Sequence, residues 1–97
     1  MPPLNDLFHA LSDPTRREIL RLLRQRDMTA GEIAAAFPLA FSTVSGHFKA
    51  LKYAGLVVTE RQGTKIVYSL NTSALEEAVA AVLEFVGAGK PPKGKKP

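Results

Sequence analysis

The side chains best suited to do chemistry are concentrated in one short stretch, residues 42–53. At 100° per residue of helix, Val44, Phe48 and Leu51 fall within about 60° of one another and form an apolar stripe. The opposite side carries small hydroxyl side chains, one glycine and one lysine. This polar side consists of Ser42, Gly46, Lys49 and Tyr53, with Thr43 and Ser45 flanking it.

A surface of this kind is suited to binding double-stranded DNA. Ser and Thr hydroxyls donate to or accept from base edges in the major groove, and a glycine lets the backbone approach them closely. The positive end of the helix attracts phosphate, and Lys49, roughly one or two turns later, would reach the DNA backbone. The alternative is a plain solvated surface, which is the commoner case for an isolated helix. The segments before and after this helix favour DNA.

A predicted β-hairpin offers a second contact. Residues 57–61 and 65–70 are rich in β-forming side chains and are separated by Gln62-Gly63-Thr64, which is a hairpin signal. Arg61 and Lys65 flank the tip, so that the hairpin can follow the DNA backbone or insert Arg61 into a minor groove. The alternative is an ordinary polar hairpin. Alternation along residues 65–70 predicts one packed face and one solvated face.

Four helices are predicted before the hairpin and one after it. Two consecutive short helices joined by a tight turn and followed directly by a hairpin make a winged helix-turn-helix. The predicted fold class is therefore mainly α with a β-hairpin wing. The helices are predicted at residues 4–11, 14–25, 30–37, 41–54 and 73–87.

Local signals define most of these helix ends. Asp13 suits an N-cap and Pro14 the first helical position. Residues 29–32 and 73–76 each form a capping box, in which a hydroxyl and a carboxylate satisfy each other's backbone N–H groups. Gly55 suits the left-handed position that ends a helix. The basic residues of the second helix are expected to form a solvated flank: Arg16, Arg17, Arg21, Arg24 and Arg26.

The last helix carries more apolar surface than one core requires. Its apolar arc spans about 200°, against the roughly 100° that packs on a single core. Burial of the surplus against a second copy predicts a homodimer, with the first helix as its companion. The alternative is that the two helices cover each other within one chain. The residues expected at the dimer interface are Leu4, Leu7, Phe8, Leu11, Leu75, Val79, Val82, Phe85 and Val86.

Composition narrows the class of protein. A chain of 97 residues predicts one domain with a small core. It contains no Cys, which excludes disulfides, thiolate metal sites and thiol catalysis. No apolar run approaches the roughly 18 residues of a membrane span, and the start lacks a signal-peptide pattern. We therefore expect a cytoplasmic protein without a membrane partner.

The net charge of +4 is weak evidence for nucleic-acid binding by the domain. Lys90, Lys93, Lys95 and Lys96 supply it, and residues 1–89 hold nine basic and nine acidic side chains. We predict one domain over residues 1–89 and a flexible Lys/Pro/Gly-rich tail over residues 90–97. Such a tail would add non-specific DNA affinity or only solubility.

Motifs for catalysis and for cofactor binding are absent from the sequence. It has no Gly-rich phosphate loop, no nucleophile elbow and no HExxH. The two histidines, His9 and His47, lie on different predicted helices without an evident carboxylate partner, and one or two histidines bind metal weakly. We expect neither an enzyme, nor a cofactor, nor a metal site.

Several segments, in matching order and spacing, resemble the ArsR/SmtB family of small bacterial repressors, over about residues 4–86. The stretch Asp27-Met28-Thr29-Ala30-Gly31-Glu32-Ile33-Ala34 is similar to that of the SdpR-like autorepressors within the family. The N-terminal signature of the family resembles Phe8-His9-Ala10-Leu11-Ser12-Asp13-Pro14-Thr15-Arg16-Arg17-Glu18-Ile19-Leu20. Its recognition helix resembles Ser42-Thr43-Val44-Ser45-Gly46-His47-Phe48-Lys49-Ala50-Leu51. Its wing resembles Ala54-Gly55-Leu56-Val57 with Arg61-Gln62-Gly63 and Tyr68-Ser69-Leu70.

The resemblance implies a homodimer that binds an inverted repeat in its own or a neighbouring promoter and represses by blocking polymerase. Each subunit would read one half-site, with half-site centres about one helical turn apart. Phosphate contacts are implied for Lys49, Arg61 and Lys65. Base-edge contacts are implied for Ser42, Thr43, Ser45 and Gly46. The full set expected at DNA is Phe41, Ser42, Thr43, Ser45, Gly46, His47, Lys49, Arg61, Gln62, Gly63 and Lys65.

The sequence also departs from the family pattern. The recognition helix often carries Ser-His-His-Leu where this chain has Ser45-Gly46-His47-Phe48, so the operator sequence can differ. Ala40 stands where Ser or Thr commonly caps that helix, which weakens the helix start by about 1 kcal/mol. The family's metal-binding residues are missing at residues 32–37 and 71–86. An inducer would then be organic, a protein, or absent. The alternative function is a protein-interaction module, for which binding would depend little on salt.

Overall fold

The structure, a computed structural model, describes residues 4–86, and within them five helices pack around an antiparallel sheet with strand order β1-β3-β2. The helical order and the hairpin confirm the winged helix-turn-helix prediction. The elements are α1 (Leu4–Leu11), α2 (Pro14–Gln25), β1 (Met28–Thr29), α3 (Ala30–Ala35), α4 (Phe41–Tyr53), β2 (Val57–Gln62), β3 (Lys65–Leu70) and α5 (Thr72–Val86).

Most of the predicted helix signals are confirmed. The Asp13 carboxylate accepts a hydrogen bond from the Arg16 backbone N–H at 3.1 Å and caps α2. The Thr29 hydroxyl accepts from Glu32 N at 3.1 Å, while the Glu32 carboxylate accepts from Thr29 N at 2.9 Å. After α4, Gly55 adopts φ 77°, the left-handed conformation that glycine reaches without steric cost.

The sheet contains a strand that the sequence pattern did not predict. β1 has only two residues, and it pairs with the middle of β3 through Met28↔Tyr68 and Thr29↔Val67. β3 is therefore the central strand, and residues 66–70 are all half-buried. The expectation of one packed and one solvated face on this strand was wrong, because residues on both faces are half-buried.

The start of α5 also differs from the prediction. The N-cap is Asn71, not Ser73: its side-chain Oδ1 accepts from the Ala74 backbone N–H at 3.2 Å. Its Nδ2 donates to the Gly55 carbonyl at 3.0 Å. Asn71 thus starts α5 and ties it to the turn that ends α4, a double role that a local capping pattern does not reveal.

Two arginines of α2 that were expected to be solvated hold the C-terminal end of α1. Arg16 is only 9% exposed, and its guanidinium donates to the carbonyls of His9 at 2.7 Å and Ala10 at 2.8 Å. Arg17 donates to the Leu11 carbonyl at 2.7 Å. Since the last carbonyls of a helix lack intrahelical donors, the two guanidinium groups satisfy that end of α1.

The core orients α4. The apolar side of α4 is buried against α1, α2 and the sheet, as the helical periodicity predicted. The opposite side of α4 therefore faces outward. The buried apolar residues are Leu7, Ala10, Ile19, Leu20, Leu23, Met28, Ile33, Val44, Phe48, Leu51, Ala54, Leu56, Val57 and Ala78.

No helix within residues 4–86 is long and apolar enough to cross a membrane. The predicted domain end at residue 89 and the predicted tail, residues 90–97, lie outside the described residues.

The cap of α5 is tested by two substitutions two positions apart. Asn71→Ala should lower the free energy of unfolding by about 1–2 kcal/mol, because it removes the helix cap and the bond to Gly55. Ser73→Ala is the matched control and should change stability by less than about 0.5 kcal/mol. Urea unfolding followed by circular dichroism measures both, and an equal loss in the two variants would contradict the assignment of Asn71 as the cap.

Candidate nucleic-acid interface

The outward side of α4 presents the residues that the sequence singled out. Ser42, Thr43, Gly46 and Lys49 are exposed, and Ser45 is half-buried. Phe41 at the N-terminal end is 57% exposed and Tyr53 at the other end is 77% exposed. The structure therefore brings the predicted α4 residues, His47 apart, onto one accessible surface.

The N-terminal end of this helix has no side-chain cap. Ala40 is the N-cap residue and makes no side-chain hydrogen bond, as its identity predicted. Its carbonyl accepts from the backbone N–H groups of Thr43 and Val44 at 3.0 and 3.1 Å. The N–H groups of the first turn point away from the helix body and carry partial positive charge, so this end is suited to an anionic ligand such as phosphate.

Gly46 is not required by packing within the chain. A Cβ atom added at this position would meet no atom within 4 Å. A glycine in a helix interior costs about 0.5–1 kcal/mol relative to alanine, and no neighbour in the described structure accounts for it. The glycine leaves the backbone of α4 open at this position to close approach by another molecule.

The hairpin places its cations beside an open turn. Gln62 pairs with Lys65 across the tip, and Gly63 adopts φ 65°, a conformation that favours glycine. Arg61, Gln62 and Lys65 are exposed, and no ion pair within residues 4–86 engages Lys49, Arg61 or Lys65. These side chains are free to meet phosphate.

Besides Glu60 on β2 itself, the Glu32 carboxylate lies near this basic hairpin. The backbone N–H of Thr29 lowers the pKa of Glu32, and the positive charges of Arg26 and Lys65 act in the same direction. Glu32 is held by its capping box, so it is a fixed negative charge at the start of α3.

His47 does not point outward with the other predicted residues. It follows Val44 by three positions and therefore lies about 60° from it, on the core side of the helix. Its side chain is 16% exposed and has Nε2 at 3.8 Å from the Asp13 carboxylate. The expectation that His47 lacks a carboxylate partner was wrong, and its position does not support its inclusion among the DNA contacts.

The other ring nitrogen of His47, Nδ1, is within hydrogen-bond distance of the Arg16 guanidinium, at 3.2 Å. Sequence reasoning missed this contact, although a signal exists. Arg16 occupies the same helical face as Ile19, Leu20 and Leu23, the buried stripe of α2, so its position already marked it as inward. Within residues 4–86 no group of three His, Cys, Asp or Glu side chains could hold a metal ion.

The predicted dimer residues differ in their exposure. Leu4, Phe8 and Val79 are exposed, the last by 53%. Leu7 is 1% exposed and belongs to the core of the chain itself, so its assignment to a dimer interface was wrong. The half-buried members are Leu11, Leu75 and Val82. Phe85 and Val86 end α5, and the predictions for their side chains lie outside the described part.

An apolar groove separates α1 from α5. It has a volume of about 170 Å³, and its walls come from both helices. The two helices therefore cover each other only partly. The alternative in which α1 and α5 bury all of each other's apolar surface within one chain is not what the structure has, since apolar surface remains exposed on both. The lining residues are Leu7, Phe8, Leu11, Leu75, Ala78, Val79, Val82 and Leu83.

Sequence comparison relates this arrangement to known regulators. The family model "Bacterial regulatory protein, arsR family" matches residues 13–59. The transcriptional repressor SdpR of Bacillus subtilis (strain 168) is 44% identical over 86 residues, which cover 89% of this chain and 96% of that protein.

Solved structures give the same relationship. An ArsR-like transcriptional regulator from Rhodococcus sp. RHA1 is 36% identical, with a TM-score of 0.76 over 89% of this chain and 80% of that one. A homodimeric winged helix-turn-helix DNA-binding domain from Mycobacterium bovis, a possible ArsR-family regulator, is 32% identical. It has a TM-score of 0.68 over 82% of this chain and 76% of that one.

The role of the open side of α4 is tested by Gly46→Ala. The substitution should raise the free energy of unfolding by about 0.5–1 kcal/mol, since alanine favours a helix and the site has room. It should weaken binding to promoter DNA by about tenfold, because the methyl group enters a close interface. Thermal unfolding and fluorescence anisotropy measure the two effects.

The matched control is Gly31→Ala in α3, where an added Cβ comes no closer than 4.0 Å to a neighbour. This variant should keep full affinity. If Gly46→Ala gained stability and lost no affinity, the outward side of α4 would not be the surface that approaches DNA.

Proposed function

Because the chain belongs to the arsR family of bacterial regulatory proteins, we propose that it is a transcriptional repressor that binds an inverted-repeat operator as a homodimer. The fold and the relatives are those of transcriptional regulators, not of enzymes. The observation that carries the proposal is the orientation of α4. Its apolar stripe is buried and its small polar side faces outward beside the unpaired cations of the hairpin.

In this proposal α4 enters the major groove. Ser42, Thr43 and Ser45 read base edges through their hydroxyl groups, and Gly46 permits the close approach. Phe41, exposed at the start of the helix, adds an apolar surface suited to a thymine methyl group. The uncapped N-terminal end of α4 and Lys49 bind the phosphates that border the groove.

The hairpin supplies the second contact of each subunit. Arg61 and Lys65 bind backbone phosphates or the adjacent minor groove, and Gln62 and Gly63 form the tip that lies against the backbone. These contacts are largely independent of sequence. They position α4, and the base-edge contacts of α4 select the operator.

Dimerisation follows from the apolar surface on α1 and α5. The exposed Phe8, Val79 and Leu83 line the groove between the two helices, and Leu4 is exposed on α1. A second copy of the chain would bury this apolar surface. The Mycobacterium bovis domain, which shares this fold, is homodimeric. Two-fold symmetry then requires an inverted repeat, with half-site centres about one helical turn apart.

We further propose that repression does not respond to metal ions or thiol oxidants. The 97 residues contain no Cys. Of the two histidines, His9 is exposed on α1 and His47 is held by Arg16. An inducer of this protein would then be an organic molecule or another protein, or the repressor has no inducer. The operator is proposed to lie in its own or a neighbouring promoter, where binding blocks polymerase.

Salt dependence tests DNA binding directly. Binding to a duplex from the gene's own upstream region should weaken steeply with salt, because bound cationic side chains release condensed counterions. Arg61→Gln should lower the slope of log affinity against log salt concentration by about 1. The control, Arg24→Gln, removes one positive charge from an exposed position on α2 and should leave the slope unchanged. If the protein were a protein-interaction module, the affinity of the parent protein for the duplex would not fall steeply with salt concentration. If Arg61→Gln and Arg24→Gln gave the same slope of log affinity against log salt concentration, Arg61 of the hairpin would not contact DNA.

Dimerisation is tested at Val79. Because this side chain is 53% exposed, Val79→Glu leaves the core of the chain intact but places a charge in the proposed interface. The variant should sediment as a monomer at micromolar concentration and lose most of its operator affinity. Ser73→Glu, which adds the same charge at an exposed position near the start of α5, should remain dimeric. A wild-type protein that is itself monomeric at micromolar concentration would contradict the proposal.

A further inference from the structure

A polar cluster of three side chains lies at the junction of α1, α2 and α4, on the side of α4 that faces the core. Arg16 is at its centre. It is nearly buried and has no carboxylate ion pair among the described residues. Two carbonyls at the negative end of α1 compensate its charge, and the remaining guanidinium nitrogen points at the His47 ring.

The chemistry of the pair fixes the state of the histidine. A guanidinium group can only donate hydrogen bonds. Nδ1 of His47, 3.2 Å from the guanidinium, must therefore carry the lone pair, and the proton of the neutral ring sits on Nε2. That N–H faces the Asp13 carboxylate at 3.8 Å.

Asp13 completes the cluster and also begins α2. Partial desolvation acts to raise the pKa of Asp13, but the backbone N–H groups of Arg16 and Thr15 and the Arg16 charge lower it, and the pKa lies below its ordinary value. The charged groups that face His47 are therefore Asp13 and Arg16, both from α2. From α1 the cluster receives only backbone carbonyls, those of His9 and Ala10.

We propose that Asp13, Arg16 and His47 form a polar joint that positions the DNA-reading helix α4, so that His47 is a positioning residue for DNA binding and not a DNA contact. This inference rests on the proposed function. Apolar packing of Val44, Phe48 and Leu51 sets which side of α4 faces inward but allows small rotations and shifts. The directional bond to a rigid, planar guanidinium removes that freedom.

The joint also connects the two proposed working surfaces. Arg16 donates a hydrogen bond to the C-terminal end of α1, the helix whose exposed Leu4 and Phe8 are proposed to lie at the dimer interface. The same guanidinium group holds α4 through His47. Together with the direct packing of α4 on α1, this side chain therefore sets the placement of α4 relative to the dimer surface, and hence the spacing of the two reading helices.

The test uses three substitutions of His47 that differ in where they offer an acceptor. His47→Asn keeps an oxygen near the position of Nδ1 and can still accept from Arg16. His47→Leu has a similar volume and no acceptor. His47→Gln places its oxygen near the position of Nε2 instead. Affinity for the promoter duplex at fixed salt and the thermal unfolding midpoint are measured for each.

We expect His47→Leu to bind the duplex about tenfold more weakly, the size of the loss of one hydrogen bond to a charged group. Its unfolding midpoint should change little, because the lost bond to Arg16 lowers stability while the helix preference of leucine raises it. His47→Asn should bind within about threefold of the parent protein although asparagine lowers helix stability. A purely structural role would give the opposite order, since affinity would then follow stability.

Each other result overturns the inference. If His47→Leu binds as tightly as the parent protein, the joint does not position α4. If only His47→Gln retains affinity, the Nε2 side of the ring carries the function, and His47 contacts DNA or acts through Asp13 alone. If the parent protein itself does not bind the duplex, the proposed function fails together with the inference, whereas the first two results leave DNA binding intact.

Discussion

The burial of three apolar side chains on α4 is the constraint on which the rest of the structure depends. Val44, Phe48 and Leu51 are at most 4% exposed, and a helix that buries this stripe can present only its opposite side to solvent. That side holds small hydroxyl groups and Gly46. Burial of the stripe therefore decides both the stability of the fold and the identity of the surface that meets a partner.

Much of this arrangement could be predicted from the sequence because its determinants are local. The caps at Asp13 and Thr29 depend on hydrogen bonds across three residues, and the orientation of α4 depends on a periodicity within one helix. Gly55 and Gly63 mark turns through their own backbone conformations. Interactions of this range are contained in a short window of sequence, so the starts of α2 and α3, the hairpin and the outward side of α4 could all be predicted.

The features that were missed are made by residues distant in the chain. β1 exists because two residues meet β3 about forty positions later, and two residues carry no detectable alternation. Asn71 outcompetes Ser73 as the cap because its amide also reaches Gly55. Leu7 looks like a surface-helix leucine until the chain folds over it. In each case the local sequence allows several conformations of similar free energy, and tertiary contacts determine which of them forms.

The arginine at position 16 shows why a polar group is retained where an apolar one would fit. A buried cation is costly to desolvate, and replacing such groups by apolar side chains is often neutral or stabilising. An apolar residue here would remove the side-chain donor of the Ala10 carbonyl and one donor of the His9 carbonyl, and α1, with eight residues, is too short to persist on its own. It would also leave His47 without its partner. The cost of burying Arg16 is thus offset by three bonds that hold together helices carrying two different proposed surfaces.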